Sequence, residues 1–240
     1  MHRLDSAAEL AEPEESVGAD SGSGQNEATT LEGVIETLRR RICGGLLKPG
    51  TRLQEVVLAE EFGISRGRLR DAFLALQQRG LIERQKNRSA VVASLDLKGV
   101  FEILELRENL EGLCVRLATE NRPPESWQYL VDLFAGPMAR FAENGEFEAY
   151  LAEMETFRAD LTQAADNRIL EEMLSILRDR TRNIVDRTTM LPGRIQQGLG
   201  ELQLVVAAMR RGDAPEAERL RRENIRSQRA FVQRYQAFLL

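Results

Sequence analysis

Histidine is almost absent from this chain: one occurs in 240 residues, at position 2. A histidine general base, a catalytic triad or a histidine-ligated metal is therefore close to excluded. Cysteine is scarce as well. Cys43 and Cys114 lie far apart, each within an apolar-periodic stretch. They read as reduced, packed thiols of a cytoplasmic protein rather than as a disulfide. No window approaches the roughly eighteen apolar residues of a membrane span, and the N-terminus lacks the apolar core of a signal peptide. No membrane partner is expected. CxxC, P-loop and GxGxxG motifs are missing, and no ExxH or repeated acidic motif marks a carboxylate-lined helical site. Neither an enzyme nor a cofactor is expected.

What is present is an uneven charge. The net of −5 divides into −6 over residues 1–30, +4 over 31–96 and −3 over 97–240. The first segment is rich in acid, Ser and Gly and poor in large apolar residues, as a disordered acidic tail would be. The acidic total hides a basic module, so the charge of each segment says more than the sum.

Within the basic module, apolar residues at 31, 34, 35, 38 and 42 have helical spacing, and Gly44-Gly45 ends that helix at about 31–44. LKPGTRL reads as a turn, with Pro49-Gly50 as its signal. A second helix is expected at 54–62, closed by Gly63. A third, over 66–79, starts at the N-cap Ser65 and ends at Gly80. LIERQ and AVVASL then form two short β-rich runs around KNRS, a hairpin. Helix, helix, turn, helix, hairpin is the order of a winged helix-turn-helix. Residues 97–240 read as an antiparallel helical bundle, with helices at about 97–120, 125–143, 146–165, 167–188, 193–211 and 213–238. The fold class is mostly α.

Arg66, Arg68 and Arg70 open the third helix. Residues 66 and 70 share a face, and 68 lies about 200° from 66. A helix end in a DNA groove suits that spread: one side meets bases and the flanks meet phosphates. Arg66 or Arg70 is assigned to a base edge, through a bidentate guanine pair worth roughly 1–3 kcal/mol. Arg68, with Ser65 and the free N–H groups of the first turn, is assigned to phosphate. The hairpin tip Lys86-Asn87-Arg88 is the expected wing, against the minor groove or backbone. A solvated face with local ion pairs, such as Arg68 to Asp71, is the alternative. Positive charge at a helix N-terminus opposes the helix dipole, a cost that a polyanion would offset.

These residues carry a resemblance. GLLKPGTRLQEVVLAEEFGISRGRLRDAFLALQQRGLIERQ resembles the winged-helix domain of GntR-family transcription regulators. Pro49, Gly50, Leu53, Leu58, Ala59, Gly63, Ser65, Arg66, Arg70, Asp71, Ala72 and Gly80 fit its pattern. Arg68 replaces a frequent proline and Asn87 a usual wing-tip glycine. The helical remainder is similar to the FCD effector domain of the same family, nearest its smaller, VanR-like group. It matches over LRENLEGLCVRLA with Arg107 and Glu111 in place, over ETFRADLTQAADNRILEEML, and over AAMRRGDAPEAERLRRENI.

The resemblance implies a metal held by one Asp and three His in many such domains. The matching positions here are Met154, Arg158, Leu202 and Asn224. None is a usual ligand for Zn, Ni or Mn in such a setting, so no metal is expected. In the metal-binding relatives the metal helps hold a carboxylate effector. Here Arg158 and Arg107 supply positive charge for a small anionic effector, with Asn224 as hydrogen-bonding partner. Alternatively, Arg158 forms an internal salt bridge with Glu111 or Glu155. Asn167 reads as a helix cap.

The resulting expectation is a dimeric repressor that binds a palindromic double-stranded DNA operator and responds to a small carboxylate-type effector. The alternative is an effector-independent regulator whose bundle only dimerises. A polar pocket containing Arg158 separates the first from the second, which predicts a collapsed core around Met154 and Leu202.

Overall fold

The computed structural model describes residues 30–84 and 89–239. The acidic tail expected over residues 1–30 lies outside the described residues except for Thr30. The expected wing tip, Lys86, Asn87 and Arg88, lies outside them too.

Thr30 caps the first helix, α1 (Leu31–Cys43), its hydroxyl accepting from the Gly33 amide at 3.0 Å. Val34, Leu38 and Ile42 recur at four-residue intervals and turn one face inward. Helix α2 (Glu55–Phe62) ends at Gly63, whose φ of 63° suits a residue without Cβ. Helix α3 (Arg66–Gln78) starts at Ser65 and buries Leu69, Phe73 and Leu76 completely against α1 and α2. Three short strands close this unit: β1 (Arg52–Leu53), β2 (Ile82–Arg84) and β3 (Ala90–Val92), antiparallel in the order β1-β3-β2. The β2–β3 pairing, Ile82 opposite Val92 and Arg84 opposite Ala90, forms the expected hairpin. Strand β1 falls where only a turn was expected. The Pro49-Gly50 turn is there, but burial of Leu53 draws Arg52 and Leu53 into the sheet, opposite Val91 and Ala90.

The rest is helical: α4 (Leu97–Asn121), a 3-10 turn (Pro124–Trp127), α5 (Gln128–Ala135), α6 (Pro137–Asn144), α7 (Phe147–Ala165), α8 (Arg168–Thr189), α9 (Arg194–Arg210), α10 (Ala214–Arg234) and a short α11 (Gln236–Leu239). The single helix expected over 125–143 is broken. Pro137 offers no N–H to continue α5, and Gly136 leaves helical geometry at φ −107°, ψ −92°. The last expected helix ends at Arg234 rather than 238. Asn167 caps α8 as expected, accepting from the Leu170 amide at 3.0 Å.

Helices α4 and α10 run antiparallel. Glu105 meets Arg229, Glu108 meets Arg226, and Arg116 meets Glu218, so numbers rise on one helix as they fall on the other. Gly112 permits the approach: a Cβ there would lie 2.6 Å from the Arg222 stem. Trp127, Phe134 and Phe157 anchor the bundle core, with the two phenyl rings edge-on at 5.0 Å. Both cysteines are free buried thiols, Cys43 at the C-terminal end of α1 and Cys114 in the bundle core. Helix α8 packs against α1 on one side and α4 on another, and so touches both units.

Candidate functional site: a basic helix end and a buried arginine cavity

Ser65 holds the start of α3, its hydroxyl accepting from the Arg68 amide at 3.2 Å. No acid occupies the first turn, so nothing local neutralises its free amides or its dipole. Arg66 and Arg68 are exposed and have no ion-pair partner among the described residues; Arg68 does not meet Asp71. Arg70 is different. It is exposed but engages Glu55 at 2.9 Å, and Arg84 reaches the same carboxylate at 3.2 Å. Among the described residues, Arg66 and Arg68 are thus the unpaired guanidiniums at this helix end, whereas Arg70 is held by Glu55.

The four positions aligned with the family's metal ligands converge. Met154 and Arg158 from α7, Leu202 from α9 and Asn224 from α10 line one cavity of about 40 Å³, joined by Arg107 from α4. The predicted effector residues Arg107, Arg158 and Asn224 are thus brought together. Arg194 and Arg221 also line it and were missed, as were Tyr150 and Gln228. Four guanidiniums face the space, and no carboxylate is on its wall.

The acids stand one step behind. Glu111, buried, accepts from Arg107 at 2.9 Å, from Arg178 at 3.2 Å and from Arg221 at 2.5 Å. Glu201 accepts from Arg194 at 3.2 Å and from the Asn224 amide at 2.7 Å, while Arg221 donates to Asn224 Oδ1 at 2.7 Å. Arg158 pairs with Glu155 at 2.5 Å, one of the two internal partners considered from the sequence. Arg107 also donates to the Thr181 hydroxyl at 3.0 Å.

This packing of charge shifts the protonation equilibria of its members. Burial, reinforced by the neighbouring Arg158 and Arg178, pushes Arg107 down to about 10 despite its contact with Glu111. Burial works to raise the Glu111 carboxyl, but Arg178, Arg221 and Arg107 together hold it well below the ordinary carboxylate range. Burial drives the Tyr150 phenol up to about 12, so it stays a neutral donor. Three buried polar atoms on the cavity residues have no hydrogen-bond partner among the described residues: Arg158 Nε, Arg221 Nε and Gln228 Oε1. Two of these are cationic donors, so the unused capacity suits an anion.

A divalent metal does not fit this set. A thioether, a leucine, an amide and a guanidinium face the space, and four guanidiniums would repel a cation. Among the described residues no group of three or more His, Cys, Asp or Glu could hold a metal ion. No described helix is long and apolar enough to cross a membrane.

Two family models match the chain: that of the bacterial regulatory proteins of the gntR family, over residues 30–92, and the FCD domain, over residues 102–227. The HTH-type transcriptional regulator YdhC of Bacillus subtilis (strain 168) is 29% identical over 142 residues, 59% of this chain and 63% of that protein, less than two thirds of its length. The HTH-type transcriptional regulator McbR of Escherichia coli (strain K12) is 29% identical over 157 residues, 65% of this chain and 71% of that protein. The gluconate operon transcriptional repressor of Bacillus subtilis (strain 168) is 38% identical over 86 residues, 36% of this chain and 35% of that protein. The solved structure of E. coli McbR/YncC is similar with a TM-score of 0.71 and 25% identity, over 85% of this chain and 98% of that one. These names describe transcriptional regulators, a class without enzymatic activity.

Proposed function

The chain belongs to the GntR family of bacterial transcription regulators, in the branch that carries an FCD domain, and from that premise we propose an operator-binding repressor released by a small anionic metabolite. Residues 31–96 are its DNA-binding domain, 97–240 its effector-binding and dimerisation domain, and 1–30 an acidic tail. It acts in the cytoplasm as a homodimer. Arg66 reads a base edge, Arg70 joins it on release from Glu55, Ser65 and Arg68 hold phosphate, and Lys86, Asn87 and Arg88 form the wing. Two such heads on a two-fold axis read a palindrome. Leu106, Leu110, Leu113 and Leu117 make an apolar stripe along α4 that suits the dimer seam; Leu106 is 56% exposed and Leu113 37%.

The observation that carries the effector reading is the cavity: four inward arginines, no carboxylate on the wall, and two unused guanidinium Nε donors. A volume of about 40 Å³ holds roughly three water-sized groups, enough for a carboxylate head. The remainder of the effector displaces the Met154 or Tyr150 side chain. Arg158 turns from Glu155 to the ligand, with Arg107 beside it and Asn224 as hydrogen-bonding partner. The small volume and the closed Arg158–Glu155 pair favour a second reading, in which the domain only dimerises.

Thermal melting separates the two. Divalent metals with chelator, then a panel of small carboxylates and sugar acids, are tested on the wild type and on Arg158→Ala. A ligand that binds the folded state stabilises it by mass action, by about 2.7 kcal/mol at a hundredfold excess over Kd, and so raises the melting temperature. The expected result is no metal response and one acid that stabilises the wild type but not Arg158→Ala. Stabilisation by metal refutes the position-by-position reading of the ligand set. A panel without response leaves the dimerisation reading.

A further inference from the structure

Asp179 lies at the middle of α8 with its carboxylate 6% exposed, yet its partners come from the other unit. Arg39 of α1 donates to Oδ1 at 2.5 Å. Arg79, the C-cap of α3, donates to Oδ2 through Nε at 3.0 Å and Nη2 at 2.6 Å, and to the Ser175 hydroxyl at 2.6 Å. The Cys43 thiol donates to the Asp179 carbonyl at 3.5 Å. Backbone fits the same face closely: a Cβ on Gly45 would lie 2.4 Å from Asn183 Nδ2, and one on Gly80 3.1 Å from Arg180 Nε. Positions 175, 179 and 183 are four apart, so one stripe of α8 carries this contact.

The next stripe contacts Arg107 of the arginine cavity and the acids that stand behind it. Arg178 donates to Glu111, Thr181 accepts from Arg107, and Arg182 lies 3.9 Å from Glu155, the partner of Arg158. A second, smaller cavity joins the two stripes, with Arg107 and Arg158 at one side and Asp179 at the other. Arg79 sits at the C-terminal end of the helix whose N-terminus presents Arg66 and Arg68. Thirteen residues make that helix about 20 Å long, so a tilt of about 10° at Arg79 displaces the far end by roughly 3 Å.

We infer that Asp179 is the positioning residue of the DNA-binding unit, and that α8 is the lever by which the state of the arginine cavity reaches it. The lever rests on the effector reading above; the pin does not. An anion that draws Arg158 from Glu155 frees Glu155 for Arg182 and shifts α8. Asp179 carries that shift to Arg39 and Arg79, and both heads of a dimer change their separation. The two-state element is the Arg158–Glu155 pair, whose opening α8 transmits.

Cys43 reports the pin directly, and Cys114 is its internal control. The full chain is treated natively with iodoacetamide, and labelling at each cysteine is read by peptide mass spectrometry. Arg39→Gln with Arg79→Gln is expected to speed Cys43 labelling roughly tenfold or more, from the loss of charged hydrogen bonds, with Cys114 unchanged. Asp179→Asn is expected to do the same. The paired arginine variant is the decisive one. Burial and the Asp179 charge push the Cys43 thiol up to about 12, so leaving that charge unpaired slows the chemistry, and acceleration there reads opening alone. A wild-type rate at Cys43 overturns the pin. Equal acceleration at both cysteines means general loosening and overturns it too. Arg178→Gln leaves Asp179, Arg39 and Arg79 intact and should still change the Cys43 rate; no change overturns the lever. From a random duplex pool the wild type should enrich one half-site spacing, and the paired arginine variant the same half-site at several spacings. An unchanged single spacing overturns the positioning role. A wild type that enriches nothing overturns the regulator reading instead, and the labelling result stands apart from it.

Discussion

Replacing Glu111 with Gln tests the organisation of the arginine cluster. Glu111 receives hydrogen bonds from three guanidiniums, through Arg107 Nη2 at 2.9 Å, Arg178 Nε at 3.2 Å and Arg221 Nη2 at 2.5 Å among others. Gln keeps the shape and one acceptor, but it removes the charge and aims an amide donor at other donors. Breaking one side of a buried ion pair costs about 3–5 kcal/mol, because the partner charges remain buried and uncompensated. At about 2–4 °C per kcal/mol for a chain of this size, the melting temperature should fall by about 6–20 °C near pH 7. The pH dependence has a definite sign. The folded carboxyl lies well below the ordinary 4.5, so its stabilisation is full above that value and is lost as pH falls through the folded one. The deficit of Glu111→Gln should therefore hold constant from neutral pH to about 5. It should then shrink by about 1.4 kcal/mol per pH unit below 4.5, until the folded carboxyl itself titrates. Other acids titrate equally in both proteins, so the difference between paired melts isolates this group. A variant that melts within about 2 °C of the wild type refutes the reasoning, as does a deficit unchanged between pH 7 and about 3.5.

Arg66→Ala should cost about 1–3 kcal/mol on selected operator DNA and relax the preference at one base pair, whereas Arg68→Ala should weaken all sequences alike and lower the salt slope by about one; anisotropy titrations at several salt concentrations distinguish these, and the reverse pattern refutes the assignment. Joint replacement by Met154→Asp, Arg158→His, Leu202→His and Asn224→His should install zinc-dependent thermal stabilisation that a chelator removes. Zinc-insensitive melting of a folded variant would mean that the four positions do not converge as the cavity places them, unless further replacement of Arg107, Arg194 and Arg221 restores the zinc response.

The DNA-binding half was legible because its signals are local. Ser65 caps α3 and glycines close α2 and α3, each within a turn of the residue it serves. Sequence missed β1, because two residues carry no periodicity; only Leu53, buried by contacts from distant segments, decides it. It also ran one helix through Gly136-Pro137, where a breaker was in plain sight inside an amphipathic run. Arg107, Arg158 and Asn224 were found by motif alignment. Arg194 and Arg221 were not, because a buried arginine on a charged helix looks like its solvated neighbours. Arg221 and Arg222 differ only in which way α10 turns them, and they are 2% and 34% exposed along their side chains. Helix phase was the available signal: Arg221 shares a face with Ile225 and Gln228, one turn and two turns on. Asp179 had no signal at all, since its partners lie 140 and 100 residues away.

Under the proposed effector reading, the cluster supplies positive charge for an anion without metal ligands. Arg107, Arg158, Arg178, Arg194 and Arg221 are five guanidiniums, and Glu111, Glu155 and Glu201 are three carboxylates bonded to them. The excess is two positive charges, the charge of the divalent ion that the Asp and three His of the relatives would hold. Three buried and two half-buried cations without acids would be expelled by desolvation and mutual repulsion. The acids therefore have to be present, but they have to stand behind the arginines rather than on the cavity wall, as Glu111 and Glu201 do. Under the same proposed reading, Glu155 is the exception that would give the site two states. It sits between Arg158 and Arg182, 2.5 Å from one and 3.9 Å from the other, and is the acid an incoming carboxylate can replace without stripping charge from the rest. A metal ion would give affinity at a fixed point. A guanidinium shared between an internal and an external carboxylate gives affinity coupled to a displacement, which a regulator must transmit.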